Sequence, residues 1–381
     1  MSGDTAPGSI HGSWQITAED VALVARGARV LGSGGGGNLY LGQLLAVNAV
    51  RGGRSIAVIP PENLDDDAFV IAVAQIGTTT VFAERLARGG DIDRAFTTME
   101  RYAGKRATAV MCYEIGGVNS MLPLVVAAQR GLPVVDADLM GRAFPEFQMT
   151  TLDIYGAPSS PIALCDDRGN VTIVAATEDM FWTERLARAL TLAMGGLAYV
   201  ARPVLHAVDI KRMAVSGSYS RAHAIGKALQ RASDNGASVE VALIAQGGRT
   251  VLRGRIIGIE RHVLGQVGRG SVAVQDLTDA VAGPSSIEFQ NEYLMVRRDA
   301  KTVATTPDAL CVIDEETGAV VDIETLHAGL HVVVIAFPAD LKLITPAALH
   351  IVGPAAFGYD TLFTPHHGLI NRRNSLSSQH S

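Results

Sequence analysis

The sequence predicts two domains, an α/β N-terminal domain with a partly parallel sheet and a β-rich (α+β) C-terminal domain. A chain of 381 residues is long for one domain and short for three. In the first half, strand-like apolar runs alternate with helical patterns, which is typical of α/β folds. In the second half, strand-like runs dominate. The predicted divisions are a flexible tail at 1–16, the α/β domain at 17–170, the β-rich domain at 171–364 and a second flexible tail at 365–381.

The N-terminal domain is predicted to begin with two helices separated by a glycine run. Thr17 is a helix-capping residue, and Glu19 and Asp20 place acids in the first turn. The run Gly-Ser-Gly-Gly-Gly-Gly at 32–37 ends this helix, and a second helix is predicted over 40–50. Further strands are predicted at 55–59, 68–74, 107–111 and 132–135, with helices at 81–87, 92–102 and 122–129.

The C-terminal domain is predicted mainly from short strands in a sandwich or barrel-like arrangement. Two helices, at 178–194 and 220–233, interrupt it. The strands are predicted at 171–175, 197–208, 239–245, 251–259, 271–274, 288–297, 310–314 and 331–337.

Composition excludes several classes of protein. A net charge of −6 and scattered arginines provide no basic surface for a nucleic-acid backbone, so nucleic acid is not expected as a partner. No signal peptide and no run of about 18 apolar residues is present, so no membrane partner is expected either. The three cysteines are single and far apart, which indicates a reducing compartment and argues against a disulfide framework. We therefore expect a cytoplasmic location.

The glycine run is the first candidate ligand-binding segment. A dinucleotide-binding loop requires a preceding strand, but a helix is predicted there, and no Lys-Ser/Thr pair completes a phosphate-binding loop. A backbone with little side-chain bulk before a helix can still present N–H groups to an anion. Gly34, Gly35, Gly36, Gly37 and Asn38 are therefore candidate substrate-binding residues. The alternative is a tight turn between two helices.

A second candidate segment follows the strand predicted at 132–135. Asp136, Asp138, Arg142 and Glu146 lie within eleven residues and are flanked by aromatic residues. In open α/β sheets, ligands collect at the carboxyl ends of the strands. Because Glu114 and Asn119 follow another predicted strand, they could face the same segment. The alternative is an Asp–Arg ion-pair network that holds a loop.

A metal ion is weakly indicated. No His-Glu-x-x-His motif and no compact His/Cys spacing is present. Glu114, Asp136 and Asp138 could together hold a divalent metal such as zinc, whereas Cys112 is interpreted as a small buried hydrophobic residue.

Seven segments carry motifs that span nearly the whole chain. They lie at 31–38, 114–120, 136–146, 167–170, 289–292, 307–308 and 352–360. In this order they resemble the S-methyl thiohydantoin desulfurase family, which is associated with hydantoin metabolism. One departure from the family pattern is Gly-Thr-Thr-Thr-Val at 77–81. The resemblance implies hydrolytic removal of sulfur from a thiohydantoin, which gives a hydantoin and sulfide or a thiol.

The chemistry of such a reaction assigns expected roles. Water must be activated and the tetrahedral intermediate stabilised. Asp136 or Glu146 is the expected base, and Asp138 and Glu114 are expected to orient that base or to hold a metal. Arg142 and Asn119 are expected to bind the ring carbonyl or a substrate carboxylate, in a cleft between the domains.

The expected partner is therefore a small heterocyclic molecule, and a homo-oligomer is expected. The alternative function is a noncatalytic ligand-binding or partner subunit of a hydantoinase-type system. Turnover by the purified chain alone distinguishes the two functions.

Overall fold

The computed structural model describes residues 12–51, 54–84, 90–204, 206–264, 267–277, 283 and 285–365. Two compact units divide these residues. Unit 1 contains the residues up to Leu31 and Gly36–Lys227, and unit 2 contains Gly32–Gly35 and the residues from Ala228 onward. Residues 1–11 of the predicted tail at 1–16 lie outside the described residues, and its last three residues form a strand. The predicted tail at 365–381 lies outside them from 366 onward.

Unit 1 is an α/β fold around an eight-stranded sheet, as predicted. The strands of unit 1 are β1 (Trp14–Ile16), β2 (Ile56–Ile59), β3 (Val70–Gly77), β4 (Ala109–Cys112), β5 (Val134–Val135), β6 (Ala137–Asp138), β7 (Ile162–Cys165), β8 (Val171–Val174), β9 (Leu197–Val204) and β10 (Val215–Ser216). Its helices are α1 (Ala18–Leu31), α2 (Leu39–Val50), α3 (Thr79–Glu84), α4 (Asp91–Ala103), α5 (Leu122–Arg130), α6 (Thr151–Ile154), α7 (Met180–Ala193), α8 (Ala207–Met213) and α9 (Ser218–Asp234), whose last residues belong to unit 2.

The main sheet of unit 1 has parallel strands at its centre. The strand order is β1-β2-β5-β4-β3-β9-β7-β8. Strands β2, β5, β4 and β3 are mutually parallel, and the others join in antiparallel pairs. The carboxyl ends of the four parallel strands consequently meet at one edge of the sheet, which is where α/β proteins bind ligands.

Two strands of this sheet, β8 and β9, lie beyond residue 170, where the N-terminal domain was predicted to end. Strands β8 and β9 were placed by sequence in the C-terminal domain, which was expected to start at 171. Strand β9 instead pairs antiparallel with β3 along eight residues, from Val70 opposite Val204 to Gly77 opposite Leu197. All eight residues of β9 are buried, so this strand completes the core of unit 1.

Unit 2 is β-rich, as predicted, and its sheet is antiparallel. The strands are β11 (Arg249–Leu264), β12 (Val267–Asp276), β13 (Ser285–Gln290), β14 (Glu292–Arg298), β15 (Lys301–Thr305), β16 (Ala309–Asp314) and β17 (His331–Phe337), in the order β15-β14-β13-β12-β11-β17-β16. Two helices, α10 (Val239–Ala245) and α11 (Pro346–Val352), accompany the sheet. Alternate residues of β13 are buried, as expected for a sheet with one face in the core.

One element of unit 2 differs in type from the prediction. Residues 239–245 were predicted as a strand from their apolar run, but they form helix α10. The Ser238 side chain caps this helix by accepting a hydrogen bond from Val241 N, and Glu240 lies in its first turn. These two helix signals outweigh the β-branched composition. Within the part of the chain that the structure describes, no helix is long and apolar enough to cross a membrane.

The glycine run is divided between the two units, with Gly32–Gly35 in unit 2 and the residues from Gly36 in unit 1, and it makes close contacts in each. In unit 2, Gly34 has a φ of +82° and lies directly against the Tyr293 ring. In unit 1, the carbonyl of Gly36 accepts a hydrogen bond from Val118 N at 2.7 Å. A Cβ atom on Gly117 would lie 2.0 Å from that carbonyl oxygen. The absence of side chains in this run is therefore required for packing.

Replacing Gly117 by alanine is expected to lower the free energy of unfolding by clearly more than the ~1–2 kcal/mol that a left-handed residue alone costs. Gly117 has a φ of +61°, and the added methyl group would also overlap the Gly36 carbonyl. The matched control is Gly131→Ala, because Gly131 has a φ of +67° and no atom of the described residues within 4 Å of the new Cβ. Urea unfolding measures both losses. Equal losses in the two variants would contradict this account.

Candidate functional site

The candidate site forms where two neighbouring parallel strands of unit 1 end. Strand β4 ends at Cys112 and strand β5 at Val135, and the two pair in parallel. Glu114 follows β4, whereas Asp136 and Asp138 follow β5, and all three side chains are buried. We call Glu114, Asp136 and Asp138 the carboxylate cluster. Because a buried charge requires partners, the hydrogen bonds of each carboxylate indicate its role.

Asp138 accepts four hydrogen bonds. Its Oδ2 atom accepts from the backbone N–H groups of Ile115, Met140 and Gly141, at 3.0, 3.2 and 2.7 Å. Its Oδ1 atom accepts from the Ser218 hydroxyl at 2.5 Å. Burial raises the pKa of Asp138 to about 6, although the four hydrogen bonds oppose that rise. With this many donors directed at it, Asp138 fits a role in positioning the surrounding segments.

Asp136 caps the N-terminus of helix α9. Its Oδ1 atom accepts from the N–H groups of Tyr219 and Ser220 at 2.8 and 3.1 Å, and its Oδ2 atom accepts from the Ser220 hydroxyl at 2.5 Å. A carboxylate at this end of a helix is stabilised by the helix dipole and by the unpaired N–H groups. Burial raises the pKa of Asp136, and the hydrogen bonds from Ser220 and Tyr219 lower it.

Sequence reasoning missed the start of α9 as part of this site. The helix was predicted from residue 220, but it begins at Ser218. The two-stranded pairing of β6 with β10 places Val215 opposite Asp138 and so brings the helix start to the carboxylates. A glycine followed by Ser-Tyr-Ser is a recognisable helix-start signal in the sequence. No local signal shows that its partner is an aspartate some 80 residues earlier.

Glu114 has fewer donors than Asp138, and its pKa is the higher of the two. Its Oε1 atom accepts from Asn119 Nδ2 at 2.7 Å, and its Oε2 atom accepts from Phe144 N at 3.2 Å. Burial raises the pKa of Glu114 to about 7, with a further rise from the charge of Asp138. The two hydrogen bonds and the positive charge of Arg142 lower it. Glu114 is therefore the member of the cluster best suited to exchange a proton near neutral pH.

Asn119 holds Glu114 in a fixed orientation. The amide of Asn119 accepts from Gln75 N at 2.7 Å and donates to Gln75 O at 3.2 Å, so it pairs with the backbone near the end of β3. This pairing determines which amide atom is the donor, and that donor binds Glu114. The Cys112 thiol donates to the carbonyl of Glu114 at 2.6 Å and lies 3.3 Å from that of Asn119. Burial raises the pKa of Cys112, in agreement with the interpretation of this residue as a buried structural thiol.

Arg142 is almost completely buried, and its charge acts on Glu114. Its Nε atom donates to the Ala143 carbonyl at 2.9 Å, and its guanidinium carbon lies 5.0 Å from the centre of the Phe144 ring. Its charge lowers the pKa of Glu114. The structure thus brings together Glu114, Asn119 and Arg142, three of the residues selected from the sequence.

The hydrogen bond of Glu146 does not connect it with Glu114, Asn119 or Arg142. Its Oε2 atom accepts from Gln148 Nε2 at 2.5 Å. The neighbouring residue Phe147 is held through its N–H by Glu184 Oε2 at 3.0 Å. The loop that contains Glu146 is therefore attached to helix α7.

The residues of the glycine run that were selected as substrate-binding candidates make contacts that hold the fold together. Gly34 and Gly35 lie in unit 2, where a Cβ on Gly35 would lie 2.5 Å from Glu292 Oε1. Gly36 and Gly37 lie in unit 1 with positive φ angles, and Gly36 packs against Gly117. Asn38 caps α2 by accepting a hydrogen bond from Leu41 N at 3.2 Å. The run and its cap thus have packing roles that account for their residue types.

The expected metal site corresponds to no metal-ligand group in the structure. Among the described residues, no three His, Cys, Asp or Glu side chains are grouped so that they could hold a metal ion. Glu114, Asp136 and Asp138 were expected to form such a group. Each instead directs its oxygens at a separate set of N–H and hydroxyl donors. These donors are backbone N–H groups, the hydroxyls of Ser218 and Ser220, and the Asn119 amide.

A buried ion pair next to the site was not predicted. Arg202 on β9 donates to both oxygens of Asp153, at 2.7 and 3.1 Å. Arg202 also donates to the Tyr113 hydroxyl at 3.2 Å, and the Tyr113 ring stacks on Phe147 at 4.5 Å. Tyr113 directly precedes Glu114, so this network supports the backbone of the site. Each charged residue stands alone in the sequence, and 49 positions separate them.

Comparisons with known proteins cover nearly the whole chain. The family model S-Me-THD-like, N-terminal domain, matches residues 19–176, and S-Me-THD-like, C-terminal domain, matches residues 178–366. A search of the curated proteins finds no match.

A similar fold occurs in the X-ray crystal structure of a protein from Chromobacterium violaceum, Northeast Structural Genomics Consortium target CvR68. The TM-score is 0.77 at 24% sequence identity, and the match covers 92% of this chain and 99% of that chain. The two family models together span both units. The chain therefore belongs to the S-methyl thiohydantoin desulfurase-like (S-Me-THD-like) family.

Proposed function

We propose that this protein removes sulfur from a thiohydantoin-type ring by hydrolysis, with Glu114 as the group that transfers protons. The family name supports a thiohydantoin-related enzyme. The observation that carries the mechanism is the pKa of Glu114, which burial raises to about 7. A group with a pKa near the working pH is an efficient general acid and base.

The reaction needs a base in its first step. The Glu114 carboxylate accepts a proton from water while the water oxygen bonds to C2 of the ring. The electron pair of the C=S bond moves to sulfur, which gives a tetrahedral thiolate. The positive charge of Arg142, which already acts on Glu114, favours the negative charge that develops on the sulfur of this intermediate.

The second step needs an acid. Glu114 returns its proton to sulfur, and the C–S bond breaks with its electron pair on sulfur, while the hydroxyl oxygen forms the C=O bond and passes its proton to the Glu114 carboxylate. Glu114 then gives this second proton to the departing hydrosulfide. The products are a hydantoin and hydrogen sulfide. An S-methyl ring, with a C=N bond at C2, would accept water in the same way, gain a proton on the ring nitrogen and release methanethiol.

The hydrogen bonds of Glu114 are compatible with this double role. Each carboxylate oxygen of Glu114 accepts one N–H donor, from Asn119 or from Phe144. Because a carboxylate oxygen has two lone pairs, each oxygen keeps one position for a proton. Asp138 and Asp136 have more donors than Glu114, so we propose that they position the segments around it. This assignment replaces Asp136 or Glu146 as the base.

The purified chain alone is expected to convert a thiohydantoin, or its S-methyl derivative, into the hydantoin. Sulfide or methanethiol should appear in equal amount, and in water labelled with oxygen-18 the new carbonyl should carry one label. Elemental analysis and the same assay after chelation test the role of a metal, and turnover should survive chelation. Binding of the ring without any turnover would instead support the noncatalytic subunit.

Glu114→Gln is expected to lower kcat by about 10²–10⁴-fold, the usual contribution of general acid–base catalysis. The amide cannot accept a proton. In either orientation, its NH2 group would also lie against one of the two N–H donors that bind the Glu114 carboxylate, from Asn119 or from Phe144. Glu146→Gln is the matched control and should keep near-normal kcat. An Asp136→Asn variant with full turnover would confirm that Asp136 is not the base. Full turnover of Glu114→Gln would remove Glu114 from the mechanism.

The pH dependence of kcat/KM tests the same assignment without a substitution. The base form of Glu114 must be present in the free enzyme, and its pKa is about 7. We therefore expect kcat/KM to rise with pH, with a midpoint near that pKa, and to fall about tenfold per pH unit well below it. A profile that stays flat down to pH values near the ordinary pKa of a glutamate would contradict the proposal.

A further inference from the structure

Two charged residues of helix α7 bind the backbone of the loop at 144–147. The Oε2 atom of Glu184 accepts a hydrogen bond from Phe147 N at 3.0 Å, and Arg188 donates to the Pro145 carbonyl at 3.2 Å. The two side chains also bind each other, at 2.8 Å between Arg188 Nε and Glu184 Oε1. We call Glu184 and Arg188 the α7 clamp.

The α7 clamp differs from an ordinary surface ion pair. A Glu and an Arg four positions apart on a helix usually form an exposed pair that contributes little to stability. Here the Arg188 and Glu184 side chains are only 23% and 15% exposed. One supplies an acceptor for a backbone N–H and the other a donor for a backbone carbonyl. The pair therefore holds the loop at two points.

The loop held by the α7 clamp also carries a donor to the candidate site. Phe144 N donates to Glu114 Oε2 at 3.2 Å. Phe144 directly precedes Pro145, whose ring fixes its own φ and restricts the residue before it. On the other side of the loop, the Tyr113 hydroxyl donates to the Phe147 carbonyl at 3.1 Å. The Phe144 N–H is therefore aimed at Glu114 by a loop that is held from two sides.

We propose that Glu184 and Arg188 are positioning residues, which hold the Phe144 N–H on Glu114 and so stabilise its carboxylate form. This inference rests on the proposed role of Glu114, on which the α7 clamp acts through the loop. A hydrogen bond from an N–H group to a carboxylate favours the charged form. The bond from Phe144 accordingly lowers the pKa of Glu114. Loss of the α7 clamp would weaken this bond and raise the pKa of Glu114.

The variant Glu184→Leu separates this role from a direct effect of charge. Removal of the negative charge at position 184 would by itself lower the pKa of Glu114. Loss of the α7 clamp would raise that pKa, because the hydrogen bond from Phe144 weakens. The two effects thus have opposite signs. The variant leaves unchanged the other titratable groups around Glu114, which are Asp138, Arg142 and the Cys112 thiol.

The experiment is an NMR titration of the full chain labelled with nitrogen-15 at phenylalanine. The Phe144 amide signal, identified by its absence from Phe144→Leu, should follow the ionisation of Glu114, with a midpoint near 7 in the wild type. In Glu184→Leu the midpoint should rise by about 0.5–1 pH unit, part of the contribution of a hydrogen bond to a charged group. Leucine favours helix, and Glu184→Ala, which adds no apolar group, should give the same rise.

Two further variants are controls. Glu184→Gln removes the charge but keeps an oxygen that accepts from Phe147 N, so its midpoint should rise by less than half as much. Glu178→Leu makes the same replacement at an exposed residue just before α7 and should leave the midpoint unchanged. An unchanged or lowered midpoint in Glu184→Leu and Glu184→Ala would overturn the proposal. An equal rise in Glu184→Gln or in Glu178→Leu would overturn it too.

The titration needs no substrate, so its result is independent of the proposed function. A raised midpoint in Glu184→Leu, together with a wild type that converts no thiohydantoin, would support the α7 clamp and contradict the desulfurase. Normal turnover of the wild type, with the same midpoint in Glu184→Leu as in the wild type, would contradict the α7 clamp alone.

Discussion

The burial of three carboxylates at the ends of β4 and β5 is the constraint on which the candidate site depends. A buried charge without partners is strongly destabilising, so the surrounding chain must supply donors. Asp138 receives them from Ile115, from Gly141 and from Ser218. One carboxylate thus fixes the positions of three segments that are far apart in the sequence. The start of α9 and the turn after β4 take their places because these groups must be satisfied.

The same requirement separates the roles of the carboxylates. Around Asp138 four donors offset part of the effect of burial, and the pKa rises to about 6. Glu114 has two N–H donors and an aspartate nearby, and its pKa rises to about 7. Arg142 prevents a larger rise by favouring the charged form. In our proposal, the number and charge of the neighbours therefore distinguish the carboxylate that transfers protons from those that position the surrounding segments.

The parts of the structure that follow from local patterns were predictable. Alternating strands and helices indicated the parallel strands. The position of Glu114 and Asn119 after β4 indicated that they could face the segment at 136–146, where Phe144 N donates to Glu114. Contacts between distant segments were not predictable. The strands β6 and β10 have two residues each, too few for a periodic signal, yet they join α9 to the site. The pairing of Asp153 with Arg202 likewise has no local signature.

Direct titration of the Glu114 carboxyl group tests the central claim most directly. Glutamate labelled with carbon-13 at the carboxyl carbon would report each side chain by NMR, and the signal missing from Glu114→Gln identifies Glu114. We expect its chemical shift to change with a midpoint near pH 7, because burial disfavours the carboxylate. A midpoint near the ordinary glutamate value of about 4.3 would contradict the account, because Glu114 would then be too weak a base to activate water and too weakly protonated to serve as an acid at neutral pH.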